Sequence, residues 1–235
     1  MIPKIIHYCW FGRNPLPKSA KKCIASWKKC LPDYEIKEWN EDNFNVNIIP
    51  YTRDAYEAKK YAFVSDYARF WILYHYGGVY FDTDVEVIRP MDDLIEKGAF
   101  MGWEKPNSDD KYSIAPGLGL AAPHNHPFYK EILTSFEKLS FYKDNGEWNS
   151  YTMIPMVTDM LLQKGLKKDG SPQVIEGINI YPDDYFCPMD AITGKVYVSN
   201  NTFSIHHYAM SWIDPSSIIK VKIARFIKRL LLWRR

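Results

Sequence analysis

Three carboxylates alternate along one short segment of the chain. Asp82, Asp84 and Glu86 are separated by single residues and follow the mostly apolar run 77–81. Side chains on a β-strand alternate between its faces, so a strand here would present all three carboxylates on one face. Neighbouring like charges are costly unless a cation or donor offsets them. Oxygen-rich groups of this kind suit Mg²⁺ and Mn²⁺, so we predict a divalent-metal site; the alternative is a solvated strand end.

A second charged pair precedes this segment. Asp66 and Arg69 are three residues apart, so on a helix they share one face. The simpler interpretation is a helix-surface ion pair that stabilises by about 0.3–0.5 kcal/mol. The functional interpretation is that the pair binds a ribose hydroxyl and a phosphate beside the carboxylate strand.

Alternating strands and helices are predicted to position these residues. Hydrophobic periodicity and Gly-Gly after residue 76 predict strands over 2–10, 34–39 and 77–86, and helices over 19–30 and 54–76. This order predicts an α/β fold with a mixed, mainly parallel sheet flanked by helices. Ligands of such sheets bind at the carboxyl ends of strands, where Asp82 and Asp84 would lie.

The second half of the chain has weaker patterns. We predict strands over 117–122, 174–181 and 203–208, and helices over 127–139 and 153–164. The glycines of segment 117–119 are expected to pass close to a bound ligand.

Composition predicts one substantial core. The chain has 235 residues, of which 46% are hydrophobic and 16% aromatic. Its four cysteines form no C-x-x-C pair, so a zinc knuckle is not expected and a reducing, cytoplasmic setting is. The N-terminal apolar run is too short for a signal peptide, and no apolar run reaches the roughly 18 residues of a membrane span.

The C-terminal end differs from the rest in charge. Seven of the 30 basic residues lie at or after Lys220, and no acidic residue follows Asp214. We predict a domain over 1–215 and a tail over 216–235, whose residues 218–235 form a basic amphipathic helix on an anionic membrane surface. The alternative is a helix packed on the core. Because the remainder is net acidic, nucleic-acid binding is not expected.

Three blocks, at 2–12, 65–69 and 77–84, resemble glycosyltransferase family 32. That family contains the DXD-containing sugar transferases of bacterial capsule and lipopolysaccharide pathways and the yeast initiating α-1,6-mannosyltransferase. The same blocks resemble the glucosylating domain of large clostridial toxins. The resemblance covers roughly residues 1–95, and a late His207-Tyr208, with Ser211-Trp212 shortly after, extends it.

The resemblance implies a GT-A-like fold, a nucleotide-diphosphate sugar donor (UDP favoured), Mn²⁺ or Mg²⁺, and retention of anomeric configuration. It also implies a glycan acceptor, for which segment 149–155 is a candidate contact. With the basic tail, we expect this acceptor to be polyprenyl-linked, at the inner face of a bacterial membrane, in capsule, O-antigen or lipooligosaccharide synthesis.

Individual roles are also implied by the resemblance. Trp10 would stack on the donor base, Asp66 would contact ribose or sugar, and Arg69 the sugar or diphosphate. Asp82 would contact ribose and a metal-bound water, and Asp84 would ligate the metal directly. The other implied donor-site residues are Ser65, Tyr80, Ser211 and Trp212. Trp10 and Trp212 could instead be core residues.

The neighbouring histidines His206 and His207 compete for one role. The resemblance implies a late histidine as a further metal ligand, and only one of two successive strand residues faces the site. We assign this role to His207.

Two other functions fit the carboxylate motif. Residues 81–85 also match the start of haloacid-dehalogenase-like phosphatases, in which Asp82 would be the nucleophile and Asp84 the general acid. That family places the motif on its first strand, whereas some eighty residues precede it here. The other alternative is a non-catalytic, membrane-associated sugar-nucleotide-binding protein.

Overall fold

The computed structural model describes residues 1–105, 112–149, 151–190 and 193–209, together with residues 220, 223, 224 and 228. Ten strands lie within these ranges. They are β1 (Ile5–Cys9), β2 (Glu35–Trp39), β3 (Gly78–Tyr80), β4 (Val85–Val87), β5 (Phe100–Glu104), β6 (Ser113–Ile114), β7 (Leu120–Ala122), β8 (Gln173–Ile175), β9 (Ile178–Tyr181) and β10 (Ser204–His206).

Eight of the described strands form one mixed sheet. Their order is β2-β1-β3-β7-β5-β9-β8, with β6 paired to β5. Strand β1 is parallel to β2 and β3, β5 is parallel to β9, and β7 is antiparallel to both β3 and β5. Strands β1, β2, β3, β5 and β9 therefore run in one direction, which confirms the predicted mixed, mainly parallel sheet. Strands β4 and β10 form a separate antiparallel ribbon.

Helices cover both faces of the sheet. The described helices are α1 (Lys18–Cys30), α2 (Pro50–Glu57), α3 (Tyr61–Tyr76), α4 (Asp92–Ile95), α5 (Pro127–Glu137), α6 (Met153–Gln163) and α7 (Asp183–Phe186), with a 3₁₀ turn at Pro116–Leu118. One buried cluster contains Phe70 of α3 and Tyr129 of α5. The other contains Trp27 of α1, packed against Phe81.

The predicted helix over 54–76 is wrong as one element. It is two helices, α2 and α3, separated by Ala58–Lys60. Lys59 adopts φ = 57°, in the left-handed region, which ends the first helix. No glycine or proline marks this break, so periodicity alone could not locate it.

Helix α3 ends at the glycine pair, as predicted. Gly77 has φ = 64°, and its N–H donates to the carbonyl of Leu73 at 2.9 Å. A Cβ at Gly77 would lie 2.8 Å from the backbone nitrogen of His124. Only glycine satisfies both conditions, so the chain can turn directly from α3 into β3.

Three predicted strands contain a turn. Segment 117–122 begins within the 3₁₀ turn, and only Leu120–Ala122 is a strand, β7. Segment 77–86 divides into β3 and β4 with a turn between them, and segment 174–181 is the hairpin of β8 and β9. Glu176 and Gly177, both with positive φ, form the hairpin turn. Each run has strand-like composition, but an internal turn redirects the chain.

A buried histidine ties β1 to β2 and to the end of α3. His7 Nδ1 accepts a hydrogen bond from the Trp39 indole at 3.0 Å, and its Nε2 donates to the Gly77 carbonyl at 2.9 Å. Burial and the charge of Lys37 lower the pKa of His7 to about 4, against the opposing effect of Gly77. His7 is therefore neutral in the folded protein.

We expect this histidine to make stability depend on pH. The unfolded chain binds the His7 proton near pH 6.5 and the folded chain near pH 4, so unfolding is favoured as pH falls through that window. The His7 contribution is about 3 kcal/mol, at about 1.4 kcal/mol per pKa unit. Urea unfolding of the wild type and His7→Gln at pH 7, 5.5 and 4.5 measures it as the difference between their pH slopes; parallel slopes would contradict the prediction.

Most of the predicted tail helix lies outside the described residues. Among the residues that the structure covers, no helix has the length and apolar character to cross a membrane. The division into 1–215 and 216–235 remains a prediction.

Candidate active site

A tight turn, rather than a strand face, brings the two aspartates together. Strand β3 ends at Tyr80 and β4 begins at Val85, whose N–H donates to the Asp82 carbonyl at 3.0 Å. The expectation that three carboxylates share one strand face is therefore wrong. Asp82, Asp84 and His206 each place one potential ligand atom within 4.8 Å of the others.

Neighbouring elements fix both ends of this turn. Before it, the N–H of Phe81 donates to the His7 carbonyl of β1 at 3.1 Å. After it, helix α1 holds β4: the Trp27 indole donates to the Val85 carbonyl at 2.7 Å, and the Val87 N–H donates to Ser26 Oγ at 3.0 Å. The acidic turn thus lies at the carboxyl end of β3, where the parallel-sheet rule predicts a site.

The segment after β10 wraps around Asp84. His206 Nε2 lies 3.3 Å from Asp84 Oδ1, and the Ala209 N–H donates to Oδ2 at 2.7 Å. The N–H of His207 donates to the Asp84 main-chain carbonyl at 3.0 Å. Burial raises the pKa of Asp84, but His206 and the Ala209 N–H outweigh it and lower that pKa well below its usual range.

The assignment of His207 to the aspartate cluster is wrong in position, because His206 occupies that place. His207 Nε2 instead lies 2.8 Å from Glu86 Oε2, and Lys22 lies 3.5 Å from the other oxygen of Glu86. His206 ends β10 opposite Val85, beside the acidic turn, and alternation directs its neighbour elsewhere. Burial lowers the pKa of His206, but Asp84 raises it to about 9.

Arg69 forms a buried link between two acids. Its side chain is 3% exposed, and Nη2 lies 3.0 Å from Asp66 Oδ1 and 3.2 Å from Asp82 Oδ1. Nε donates to the Ser65 carbonyl at 3.1 Å. The simple surface ion pair considered from the sequence is therefore replaced by a buried one, in which loss of one partner costs about 3–5 kcal/mol.

Burial also affects the two acids beside Arg69. It raises the pKa of Asp66 to about 6, against the opposing charge of Arg69. It raises the pKa of Asp82 as well, and Arg69 again opposes the shift. The single guanidinium therefore offsets part of the desolvation cost of two carboxylates.

Tyr80 and Ser65 support this arrangement. The Tyr80 hydroxyl donates to Asp82 Oδ1 at 3.0 Å, and Arg69 lies 5.0 Å from the Tyr80 ring centroid. Because Tyr80 is 1% exposed, the expectation that it lines a donor pocket is not met; it packs behind Asp82. Ser65 Oγ donates within α3 to the Tyr61 carbonyl at 3.1 Å, so the residue supports Arg69 through its main chain.

The remaining residues predicted to bind the donor lie near the two ends of the chain. Trp10 follows β1 directly, is partly buried, and donates from its indole to the Asn14 carbonyl at 2.6 Å. Its proposed stacking on a donor base remains a prediction. Ser211 and Trp212 lie outside the described residues.

Gly117 approaches the aspartate pair closely. Its carbonyl accepts the Asp82 N–H at 3.4 Å. A Cβ at this position would overlap Asp82 Oδ2 and lie 3.2 Å from Arg69 Nη1. The glycines of 117–119 suggested close ligand approach, but only the folded chain shows that Gly117 packs against Asp82.

We expect Gly117→Ala to displace the Asp82 carboxylate. The protein should remain folded but with a lower melting temperature, because the added methyl group meets side-chain atoms of Asp82 and Arg69 and no backbone atom. Sugar transfer should fall about 10- to 100-fold in kcat/KM, equivalent to about 1.4–2.8 kcal/mol. Steady-state kinetics combined with thermal melting tests this, and unchanged kcat/KM in a folded variant would contradict it.

The potential ligand atoms of the acidic turn and His206 fit a divalent cation. Two carboxylates and one imidazole are ligands that Mn²⁺ accepts, and their potential ligand atoms converge within 4.8 Å. His206 Nδ1 is buried without a hydrogen-bond partner among the described residues. Asp82, Asp84 and His206 would therefore be the residues that hold such an ion.

This fold and site define a sugar-transferase type of protein, and comparison with known proteins supports that class. The family model for the glycosyltransferase sugar-binding region containing the DXD motif matches residues 17–101. The chain resembles the structure titled PaToxG Glycosyltransferase with a TM-score of 0.52 and 21% identity over 70% of each chain. A glycosyltransferase involved in glycosylation of the major capsid of PBCV-1 also gives 0.52, at 10% identity, over 94% of this chain and all of that chain. These structural similarities show the fold alone.

Sequence relatives identify the family. "Uncharacterized glycosyltransferase L373" of Acanthamoeba polyphaga mimivirus is 32% identical over 94% of this chain and 88% of its own length. "Inositol phosphoceramide mannosyltransferase 3" of Schizosaccharomyces pombe is 30% identical over 60% of this chain, and the match spans 38% of that protein. The chain belongs to the family of DXD-containing glycosyltransferases, which confirms the family and the GT-A-like fold predicted from the sequence. Membership of this family favours sugar transfer over the phosphatase alternative.

Proposed function

We propose that this protein is a metal-dependent, retaining glycosyltransferase. It transfers a sugar from a nucleotide-diphosphate donor to a hydroxyl group of a glycan acceptor. The observation that carries the proposal is the convergence of Asp82, Asp84 and His206 within 4.8 Å at the carboxyl end of β3. Family membership supports the reaction class.

The charges of the site suit departure of a diphosphate. A bound divalent cation stabilises the negative charge that develops on this leaving group. A carboxylate of ordinary pKa is ionised near neutral pH. Asp84, whose Oδ2 accepts the Ala209 N–H at 2.7 Å, can therefore serve as an anionic ligand. Arg69 and Tyr80 orient the Asp82 carboxylate through contacts with its Oδ1 at 3.2 Å and 3.0 Å, respectively. In this arrangement Arg69 positions Asp82 and Asp66, in place of the direct diphosphate contact implied by the resemblance.

Retention requires no nucleophile from the protein under a front-face mechanism. The bond between the anomeric carbon and the phosphate oxygen breaks, and the acceptor oxygen forms its bond on the same face. The acceptor proton passes to the departing phosphate oxygen, so atoms and charge balance. The residues then bind and orient the reactants and hold compensating charge.

A specific sugar donor and a specific acceptor are part of the proposed function. We favour a UDP-sugar donor, as the resemblance implies, while the name of the fission-yeast relative makes a mannose donor the first alternative. The proposed acceptor is a lipid-linked glycan in bacterial capsule, O-antigen or lipooligosaccharide synthesis.

Calorimetric titration with UDP and GDP, each with and without Mn²⁺, tests the proposal. We expect nucleotide binding that requires Mn²⁺, and the tighter nucleotide identifies the donor class. Binding of neither nucleotide, or equal binding without Mn²⁺, would contradict metal-dependent transfer. Turnover of the sugar donor, measured on the same preparation, would exclude a non-catalytic sugar-nucleotide-binding protein, because such a protein binds the donor without consuming it.

The basic tail gives a separate prediction. Residues 218–235 contain seven cations and no acid, so they should bind anionic membranes at the inner face of the cell membrane. Deleting them should move the protein from the membrane fraction to the soluble fraction and leave donor hydrolysis unchanged. Fractionation of both proteins from the same cells measures this; an unchanged distribution would contradict it.

A further inference from the structure

Tyr208 has a strained main chain beside the aspartate cluster. It lies two residues beyond the end of β10 and has φ = 48°, in the left-handed region. For a residue with a bulky side chain this conformation costs about 1–3 kcal/mol and persists only where surrounding contacts impose it. The contacts of Tyr208 therefore indicate what the strain achieves.

Two residues from other elements hold the Tyr208 hydroxyl. It donates to Glu104 Oε1 at 2.7 Å. Cys187 Sγ lies 2.7 Å from the Tyr208 hydroxyl oxygen. Burial raises the pKa of Cys187 to about 12, so its thiol remains protonated and can donate to the Tyr208 oxygen. Glu104 ends β5 and Cys187 follows α7, so the hydroxyl is held by residues at the ends of two separate secondary-structure elements.

The turn at Tyr208 closes the chain around Asp84. Immediately before it, the His207 N–H reaches the Asp84 carbonyl at 3.0 Å; immediately after it, the Ala209 N–H reaches Oδ2 at 2.7 Å. The Tyr208 ring lies edge-on to the His206 ring, with centroids 4.4 Å apart. An extended residue at 208 would direct Ala209 away from Asp84.

We propose that Tyr208, fixed by Glu104, is a positioning residue that holds His206 and Asp84 in the geometry for binding a divalent cation. This inference rests on the proposed function, in which these two residues are metal ligands. Tyr208 acts through them and does not itself contact the ion. Residues that contact and orient metal ligands, without touching the metal, typically contribute 10- to 100-fold to metal affinity.

The experiment is a calorimetric titration of the full chain with Mn²⁺ alone. We expect Tyr208→Phe and Glu104→Ala each to weaken Mn²⁺ binding about tenfold. Glu104→Gln retains an acceptor oxygen for the Tyr208 hydroxyl and should recover most of that loss. Tyr181→Phe is the matched control, because the Tyr181 hydroxyl is buried without a partner among the described residues; its Mn²⁺ affinity should match the wild type.

A kinetic measurement separates positioning from a general loss of stability. The Mn²⁺ concentration for half-maximal transfer should rise in Tyr208→Phe, whereas kcat at saturating Mn²⁺ stays near the wild-type value. Equal Mn²⁺ affinity in the wild type, Tyr208→Phe and Glu104→Ala would overturn this inference alone. If Tyr208→Phe does not fold, equal affinities for Glu104→Ala and Glu104→Gln would overturn it. Failure of the wild type to bind Mn²⁺ would overturn the proposed function and this inference with it.

Discussion

Asp84→Asn should reduce sugar transfer by about 10³-fold, because several kcal/mol of charge stabilisation are lost at about 1.4 kcal/mol per factor of ten. The amide has nearly the shape of the carboxylate and retains an oxygen to accept the Ala209 N–H. It lacks the negative charge that faces His206 at 3.3 Å. We therefore expect a folded protein that has lost metal-dependent donor binding together with transfer.

Initial rates and Mn²⁺-dependent nucleotide titration measure both effects in one preparation. Asp144→Asn is the control, because it makes the same chemical change at an exposed loop position. Normal turnover in Asp84→Asn would refute the assignment of this carboxylate. Transfer lost while metal-dependent binding stays normal would refute its role as a metal ligand.

The two adjacent histidines should give contrasting results when each is replaced by alanine. His206→Ala removes a ring that lies 3.3 Å from Asp84 Oδ1 and among the converging ligand atoms. We expect Mn²⁺ affinity and kcat/KM to fall by about 100-fold or more, since loss even of a partner behind a metal ligand costs 10–100-fold. His207→Ala removes a partly buried contact with Glu86 outside the converging ligand atoms and should change both quantities less than about threefold.

This pair is its own matched control, because the variants differ by one position and remove the same group. Mn²⁺ calorimetry and steady-state kinetics on both proteins decide between them. A larger loss in His207→Ala would restore the assignment made from the sequence and contradict the geometry. Equal and small losses would show that neither histidine is a metal ligand.

The sequence by itself determined the family, the fold class and the two aspartates of the candidate site, Asp82 and Asp84. These follow from local signals: hydrophobic periodicity, the glycine pair that ends α3, and the alternating carboxylates of 82–86. Each signal lies within a few neighbouring residues. The elements near the N-terminus, β1, α1 and β2, accordingly have nearly the predicted bounds.

Sequence patterns did not locate two turns that contain no glycine or proline. The break at Lys59 and the turn at 82–85 lie in runs with uninterrupted helix or strand composition. Turn geometry there depends on contacts with distant residues, such as the bond from Phe81 to His7. Local propensity is a weak predictor where tertiary contacts override it.

Only the tertiary structure decided which residues meet at the site. The choice of His206 over His207 depends on the register of β10 against β4, in which His206 lies opposite Val85. The closeness of Gly117 and the support from Tyr208 and Glu104 depend on segments more than thirty residues from the motif or from each other. Such contacts have no local sequence signal, because packing of separate elements, rather than propensity, brings them together.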